Sequence, residues 1–289
     1  MIEKAVMSLW SAPSRTAGHG CAWSTPEHEL MAWRVSSTLL RRHFKRVELV
    51  TDRDGWARLA PLGLPFTSVR LDLDDLDATW AKFWSMGKVR AYALQDEPFV
   101  HVDADAFMHK PLEPRILTAP VVAQLPEKFR LDSGIRNYRL DQLEAHIRPL
   151  PAEVLKALRR PIQYAVNCGL FGGNDLDTIR VYTDLVFALL TGSTGWETIG
   201  GFDGLLILEQ WMIGVALRQR RRFFEYLYPC VGGPRGYSSQ AVRDRVGFIH
   251  FWAGEKKNPD SLRQLEGWHQ ALFASLQERP CSSASSMRP

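Results

Sequence analysis

Over its first hundred residues the chain alternates short apolar runs rich in β-branched residues with longer amphipathic stretches. That order predicts a parallel sheet covered by helices, because parallel neighbours need long crossover connections and a helix is the usual one. Strands are expected at residues 5–9, 47–51, 66–71 and 99–102. A loop containing Pro13, Gly18, Gly20 and Pro26 follows the first strand. A helix is expected over 27–43, with Leu30, Trp33, Leu39 and Leu40 on its apolar face. Residues 76–94 read as a helical region interrupted near Gly87 and ended by Pro98.

The second half is less regular. Strand character is expected to end after Val121-Val122-Ala123, and residues 132–163, polar, basic and punctuated by Pro149, Pro151 and Pro161, read as a helical insertion. A strand at 165–171, helices at 176–190 and 205–217, a strand at 246–250 and a last helix at 262–276 complete the pattern. Gly172-Gly173-Asn174-Asp175 should end a strand and cap the helix after it. The expected organisation is one domain over 1–278. The serine-rich residues 279–289 should form a disordered tail.

The 289 residues, 45% hydrophobic and 24% charged, suit a compact core. A net charge of +4 is too small to imply nucleic acid. The basic runs at 41–46 and 218–222 follow apolar helical patterns and read as solvated helix ends, where cations complement the helix dipole. Cys21, Cys168, Cys230 and Cys281 are too scattered for a disulfide framework or a zinc site, which fits a reducing cytoplasm. No apolar run is long enough to span a bilayer, so the expected location is cytoplasmic, at most peripheral to the inner face of a membrane.

Chemistry concentrates after the strand Phe99-Val100-His101-Val102. Ligands of open α/β sheets bind at the carboxyl ends of the strands, and Asp103 and Asp105 sit there. Two carboxylates one residue apart can hold a divalent cation while leaving room for phosphate oxygens; taken alone, they are more often a pair of turn aspartates. The surrounding segment, Phe99 through Asp103-Ala104-Asp105 to Lys110-Pro111-Leu112, resembles the D-x-D strand of GT-A-fold glycosyltransferases. Further segments resemble family 8, the glycogenin-like enzymes, in the same order. Gly87-Lys88-Val89-Arg90 is similar to the helix before that strand, where a basic residue contacts the donor. Asn167-Cys168-Gly169 is similar to the Asn-x-Gly strand bordering the sugar pocket. His250-Phe251-Trp252-Ala253-Gly254-Glu255-Lys256-Lys257 resembles a His-Phe-x-Gly-x-x-Lys signature, with one extra residue before Gly254 that leaves Lys256 and Lys257 as alternatives.

The resemblance implies a GT-A α/β fold and a metal-dependent transfer of sugar from a nucleotide-sugar, a UDP-sugar, with retention. Asp103, Asp105 and His250 would hold Mn²⁺ or Mg²⁺, the mixed oxygen and imidazole set suiting Mn²⁺ better. Donor contacts would come from Lys88, Ala104, Gly169, Trp252, Gly254 and Lys256 or Lys257, with Ser11 and Arg15 at the base and ribose. Asp203, Glu209, Gln210 and Asn167 are the candidates beside the reacting carbon. Asp203 reads equally as a helix N-cap, and Asn167 as a residue satisfying a bulge. Trp33, Trp80, Trp84 and Trp211 fall in helical apolar patterns and read as core. The acceptor, whether glycan, lipid-linked, protein or small molecule, is not written in these motifs. A sugar-1-phosphate nucleotidyltransferase, which would need a Gly-rich basic loop that residues 8–20 lack, and a non-catalytic nucleotide-sugar-binding protein are the alternatives.

Overall fold

The computed structural model describes residues 1–16, 22–130, 139–228 and 240–277. A seven-stranded sheet forms the centre, built from β1 (Lys4–Leu9), β2 (Arg46–Thr51), β3 (Ser68–Arg70), β4 (Phe99–Val102), β6 (Val122–Arg130), β7 (Ile162–Gly173) and β8 (Glu225–Tyr226) in the order β3-β2-β1-β4-β7-β6-β8. A two-stranded ribbon of β5 (Ala106–Met108) and β9 (Phe248–His250) stands beside it. In the large sheet β7 is antiparallel to both neighbours and every other pair is parallel, so β7 alone runs against the rest. The expected mostly parallel α/β sheet with flanking helices is the observed architecture.

Alternation along the strands divides the core between two faces. Val6, Val50, Phe99 and Phe171 pack into one apolar cluster, while Ala5, Met7, Leu49, Val100 and Leu170 pack into another on the opposite side. Helix Pro26–His43 starts where sequence logic puts it. Thr25 accepts a hydrogen bond from the His28 amide at 3.3 Å, Pro26 occupies the first turn, and Arg41, Arg42 and His43 fill the last. Asp175 caps helix Leu176–Gly192 by accepting from the Thr178 amide at 3.1 Å.

Three expectations need correction. Strand character does not end at Ala123: β6 continues to Arg130, because the long β7 supplies a pairing partner that outweighs Pro126 and the charges after it. Within the segment 132–163 the described residues form helices at Leu140–His146 and Ala152–Leu158, and residues 162–163 are already in β7. The helix expected over 205–217 begins earlier and is broken: helix Gly201–Leu205 leads into a π-helical turn, Leu206–Trp211, and then into helix Met212–Arg220. The expected tail and three of the four cysteines lie outside the described residues; Cys168 is buried and forms no disulfide. No helix among the described residues is long and apolar enough to cross a membrane.

Candidate active site

The chain leaves β4 at Val102, opposite Leu170 of β7, and the Asp103 amide donates to the Gly169 carbonyl at 3.1 Å. A tight turn follows, closed by the Ala106 amide on the Asp103 carbonyl at 3.0 Å. This turn presents both aspartates at the end of the sheet. β5 then pairs antiparallel with β9 so that Ala106 faces His250, and the Phe251 amide donates to the Asp105 carbonyl at 2.9 Å. That ribbon brings His250 to the aspartates across the intervening sequence. Ligand atoms of Asp103, Asp105 and His250 all lie within 4.8 Å of one another.

The histidine is oriented by Gln124. Its Nδ1–H donates to Gln124 Oε1 at 2.8 Å, which turns Nε2 toward the aspartates, 3.2 Å from one Asp105 oxygen. Gln124 sits at the register irregularity between Ala123 and Leu125, where a bulge re-aims a strand side chain. Gly169 makes the arrangement possible: a Cβ there would lie 2.2 Å from both Gln124 Oε1 and His250 Nδ1. Two lysines complete the corner. Lys88, on helix Met86–Ala93, lies 2.9 Å from Asp103 and also pairs with Glu209; Lys256 pairs with Asp105.

These groups open onto one cavity of about 1190 Å³ at the carboxyl ends of β1 and β4. Sheet connections diverge there, since β1 has β2 on one side and β4 on the other, and such divergence is where open α/β sheets bind ligands. Residues 3–277 match the model of a family of unknown function, DUF6734. The chain belongs to the DUF6734 family. No curated protein matches it in sequence. Among solved structures, this DUF6734 chain is similar to mouse xyloside xylosyltransferase 1 in its apo form, at 12% identity and a TM-score of 0.40, covering 86% of this chain and 97% of that one. It is also similar to the PaToxG glycosyltransferase, at 9% identity and a TM-score of 0.38, covering 98% and 82%.

Electrostatics in the DUF6734 site are dominated by the three ion pairs that Lys88 and Lys256 make. Burial would depress the Lys88 ammonium, but Asp103 and Glu209 outweigh it and hold its pKa well above the ordinary lysine value. Burial likewise opposes charge on Asp105 and Lys256; each holds the other ionised, with His250 also acting on Asp105. Glu209, 2% exposed, is pushed up by burial, with Lys88 pulling the other way. His101 is kept neutral by burial and then by Lys88, and its Nε2 lies 2.9 Å from the Ser8 hydroxyl.

The cavity gathers most of the residues singled out from the sequence. Lys88, Asp103, Ala104, Asp105, Asn167, Gly169, Glu209, Gln210, His250, Trp252, Lys256 and Lys257 line it. Ser11, Arg15, Asp203 and Gly254 are not among its lining residues. Ser11 donates through its amide and hydroxyl to Asp52, at 3.0 and 2.6 Å, and Arg15 pairs with Asp54; Pro13 and Ser14 face the cavity instead. Asp203 lies inside helix Gly201–Leu205, whose N-cap is Gly200. Asn167 accepts from the Gly169 amide at 3.0 Å. In the loop after β9 the left-handed residue is Ala253, at φ 45°, rather than Gly254.

Gln124, His101 and Tyr182 had not been singled out. Tyr182 donates its hydroxyl to the Glu209 carbonyl at 3.0 Å, occupying a backbone acceptor of the π turn. Gln124 did carry a signal, a lone amide inside Val121-Val122-Ala123-Gln124-Leu125. A polar side chain in a buried strand needs a partner, and a site is one place to find it.

Proposed function

We propose that this chain is a metal-dependent glycosyltransferase of the GT-A type, moving a sugar from a UDP-sugar to an acceptor with retention of anomeric configuration. The observation that carries the reading is the convergence of Asp103, Asp105 and His250, with Gln124 fixing the imidazole tautomer, on a cavity that Lys88 and Lys256 also reach. Two carboxylates and an imidazole lone pair suit Mn²⁺, with Mg²⁺ the second choice. Bound there, the ion would supply positive charge for the departing nucleoside diphosphate. Lys256 would exchange its pairing with Asp105 for the diphosphate, and Lys88 holds Asp103 in place. The acceptor oxygen bonds to the anomeric carbon as that carbon's bond to the diphosphate oxygen breaks. The electron pair leaves with the diphosphate, which takes the acceptor hydroxyl proton.

Retention is supported by the state of the carboxylates. An inverting enzyme needs a carboxylate base for the acceptor. Of the four described carboxylates that line the cavity, Asp103 and Asp105 belong to the triad, Glu209 pairs with Lys88 and Glu29 pairs with Arg58 at 2.7 Å. Gln210, on the π turn, offers a neutral amide to the same space. The scattered cysteines favour a cytoplasmic setting, and assembly of a surface glycan would fit it.

The test is UDP release from a panel of UDP-sugars with Mn²⁺. Chelation, Asp103→Ala and Asp105→Ala should each lower turnover by about a hundredfold or more, the scale on which loss of charge stabilisation acts. Turnover undiminished in both variants would sink the metal assignment, and release of pyrophosphate in place of UDP would point to nucleotidyl transfer.

A further inference from the structure

Two rings at the cavity are not accounted for by the triad or its lysines. Trp84, just before helix Met86–Ala93, and Phe202, in helix Gly201–Leu205, stack with centroids 6.5 Å apart and planes inclined by 29°. Trp84 does not take the core position expected for it. The two rings are 36% and 62% exposed, and both line the cavity. A single exposed aromatic residue needs no explanation, but two neighbouring rings exposed at the same cavity form an apolar patch there.

The pair is held in place by its surroundings. At Gly201 a Cβ would lie 2.5 Å from the Lys82 carbonyl oxygen, so only glycine lets the two segments approach this closely. Lys82 donates to the carbonyls of Trp196 and Ile199, tying the Trp84 segment to the turn that leads into Phe202. Phe83 packs against Gly204 so tightly that a Cβ there would meet its ring at 2.2 Å. The same helical run continues through Leu205 and Leu206 to Gln210, all facing the cavity.

We propose that Trp84 and Phe202 are the acceptor platform, and that the acceptor is a carbohydrate whose pyranose ring lays its apolar C–H face on the aromatic pair. This inference rests on the transferase reading above. The chemistry favours a sugar over a wholly apolar occupant, because Ser14 and Lys257 also line the cavity and an apolar occupant would strip water from such polar groups without replacing its hydrogen bonds. Hydroxyls at the edge of a ring stacked by its face supply such partners. The volume is also more than one ligand requires: about 1190 Å³ exceeds the roughly 300–1,000 Å³ of a typical small-molecule site. A nucleotide-sugar and one acceptor sugar can share it.

The experiment uses an array of immobilised hexose-containing oligosaccharides, probed with the full chain in the presence of UDP and Mn²⁺, beside calorimetry of UDP with Mn²⁺. Wild-type protein should retain a subset of the glycans. The double variant Trp84→Ala/Phe202→Ala should lose about tenfold or more of that retention. UDP affinity should stay within about twofold, the rings being placed on the acceptor and not on the nucleotide. Trp84→Phe, which keeps an aromatic face and guards against a folding defect, should recover most of the signal. Glycan retention equal in wild type and double variant, or no retention by the wild type, overturns the platform. Failure of UDP to bind while glycan binding remains sensitive to the rings would sink the transferase reading and leave the platform standing.

Discussion

The Lys256 ammonium lies on the Asp105 carboxylate, whose other oxygen stands 3.2 Å from His250 Nε2. One carboxylate is therefore shared between a protein cation and the corner where a metal ion would sit. Two cations drawn to the same oxygens compete unless an anion draws one of them away. A diphosphate is such an anion, so the occupancy of metal and nucleotide should be linked through Lys256.

Lys256→Ala should separate these effects. Freed of its lysine, Asp105 should bind Mn²⁺ alone about three- to tenfold more tightly, while UDP in saturating Mn²⁺ should bind about tenfold more weakly. Calorimetric titrations in both orders measure this. Unchanged affinities in both would show that Lys256 serves neither partner.

Gln124→Leu removes the acceptor that fixes His250 but keeps a side chain of similar size. Loss of such an outer partner costs about 10–100-fold in metal affinity. Mn²⁺ titration of the variant should fall in that range, and UDP binding without metal should be little affected. A variant that binds Mn²⁺ like the wild type would mean that the imidazole is oriented by other contacts.

Ala253 carries a φ of 45°, a conformation that costs an L-residue about 1–2 kcal/mol. Ala253→Gly relieves that strain but adds freedom to the unfolded chain, worth about 0.4–1 kcal/mol in the other direction. The net expectation is a gain of up to about 1 kcal/mol, read as a higher melting temperature. A clear loss of stability would show that the Ala253 methyl makes a contact worth more than the strain.

His43 and His109 predict an acid-side loss of stability. Burial, with Arg42 adding to it, lowers both pKa values, and His43 lowers that of His109 further. A histidine depressed in the folded state leaves stability intact above the unfolded value and erodes it as pH falls below about 6.5. Denaturant midpoints should drop between pH 7.5 and 5.5, and His109→Gln should flatten that slope. An unchanged slope would assign the acid sensitivity to other groups.

How much of this was legible in the sequence depended on the range of the interaction. β1, β2, β4 and helix Pro26–His43 were visible because alternation and helical periodicity are local signals. Asp103 and Asp105 were placed by the end of a strand, and His250 by the motif around it. Gln124 was not, because its role depends on a bulge and on a partner far along the chain. Trp84 was misplaced because apolar periodicity does not tell the lip of a cavity from the core.

The π turn at Leu206–Trp211 holds one residue more than an α-helical turn would, so the helical faces before and after it are out of phase by about 100°. Phe202 before that offset, and Met212 and Ile213 after it, answer to different neighbours: the cavity for the first, the apolar core for the other two. Deleting one residue inside the turn would merge the two registers into a single continuous helix. Glu209 would then have to choose between its lysine and the packing of everything after it, a conflict that the extra residue removes.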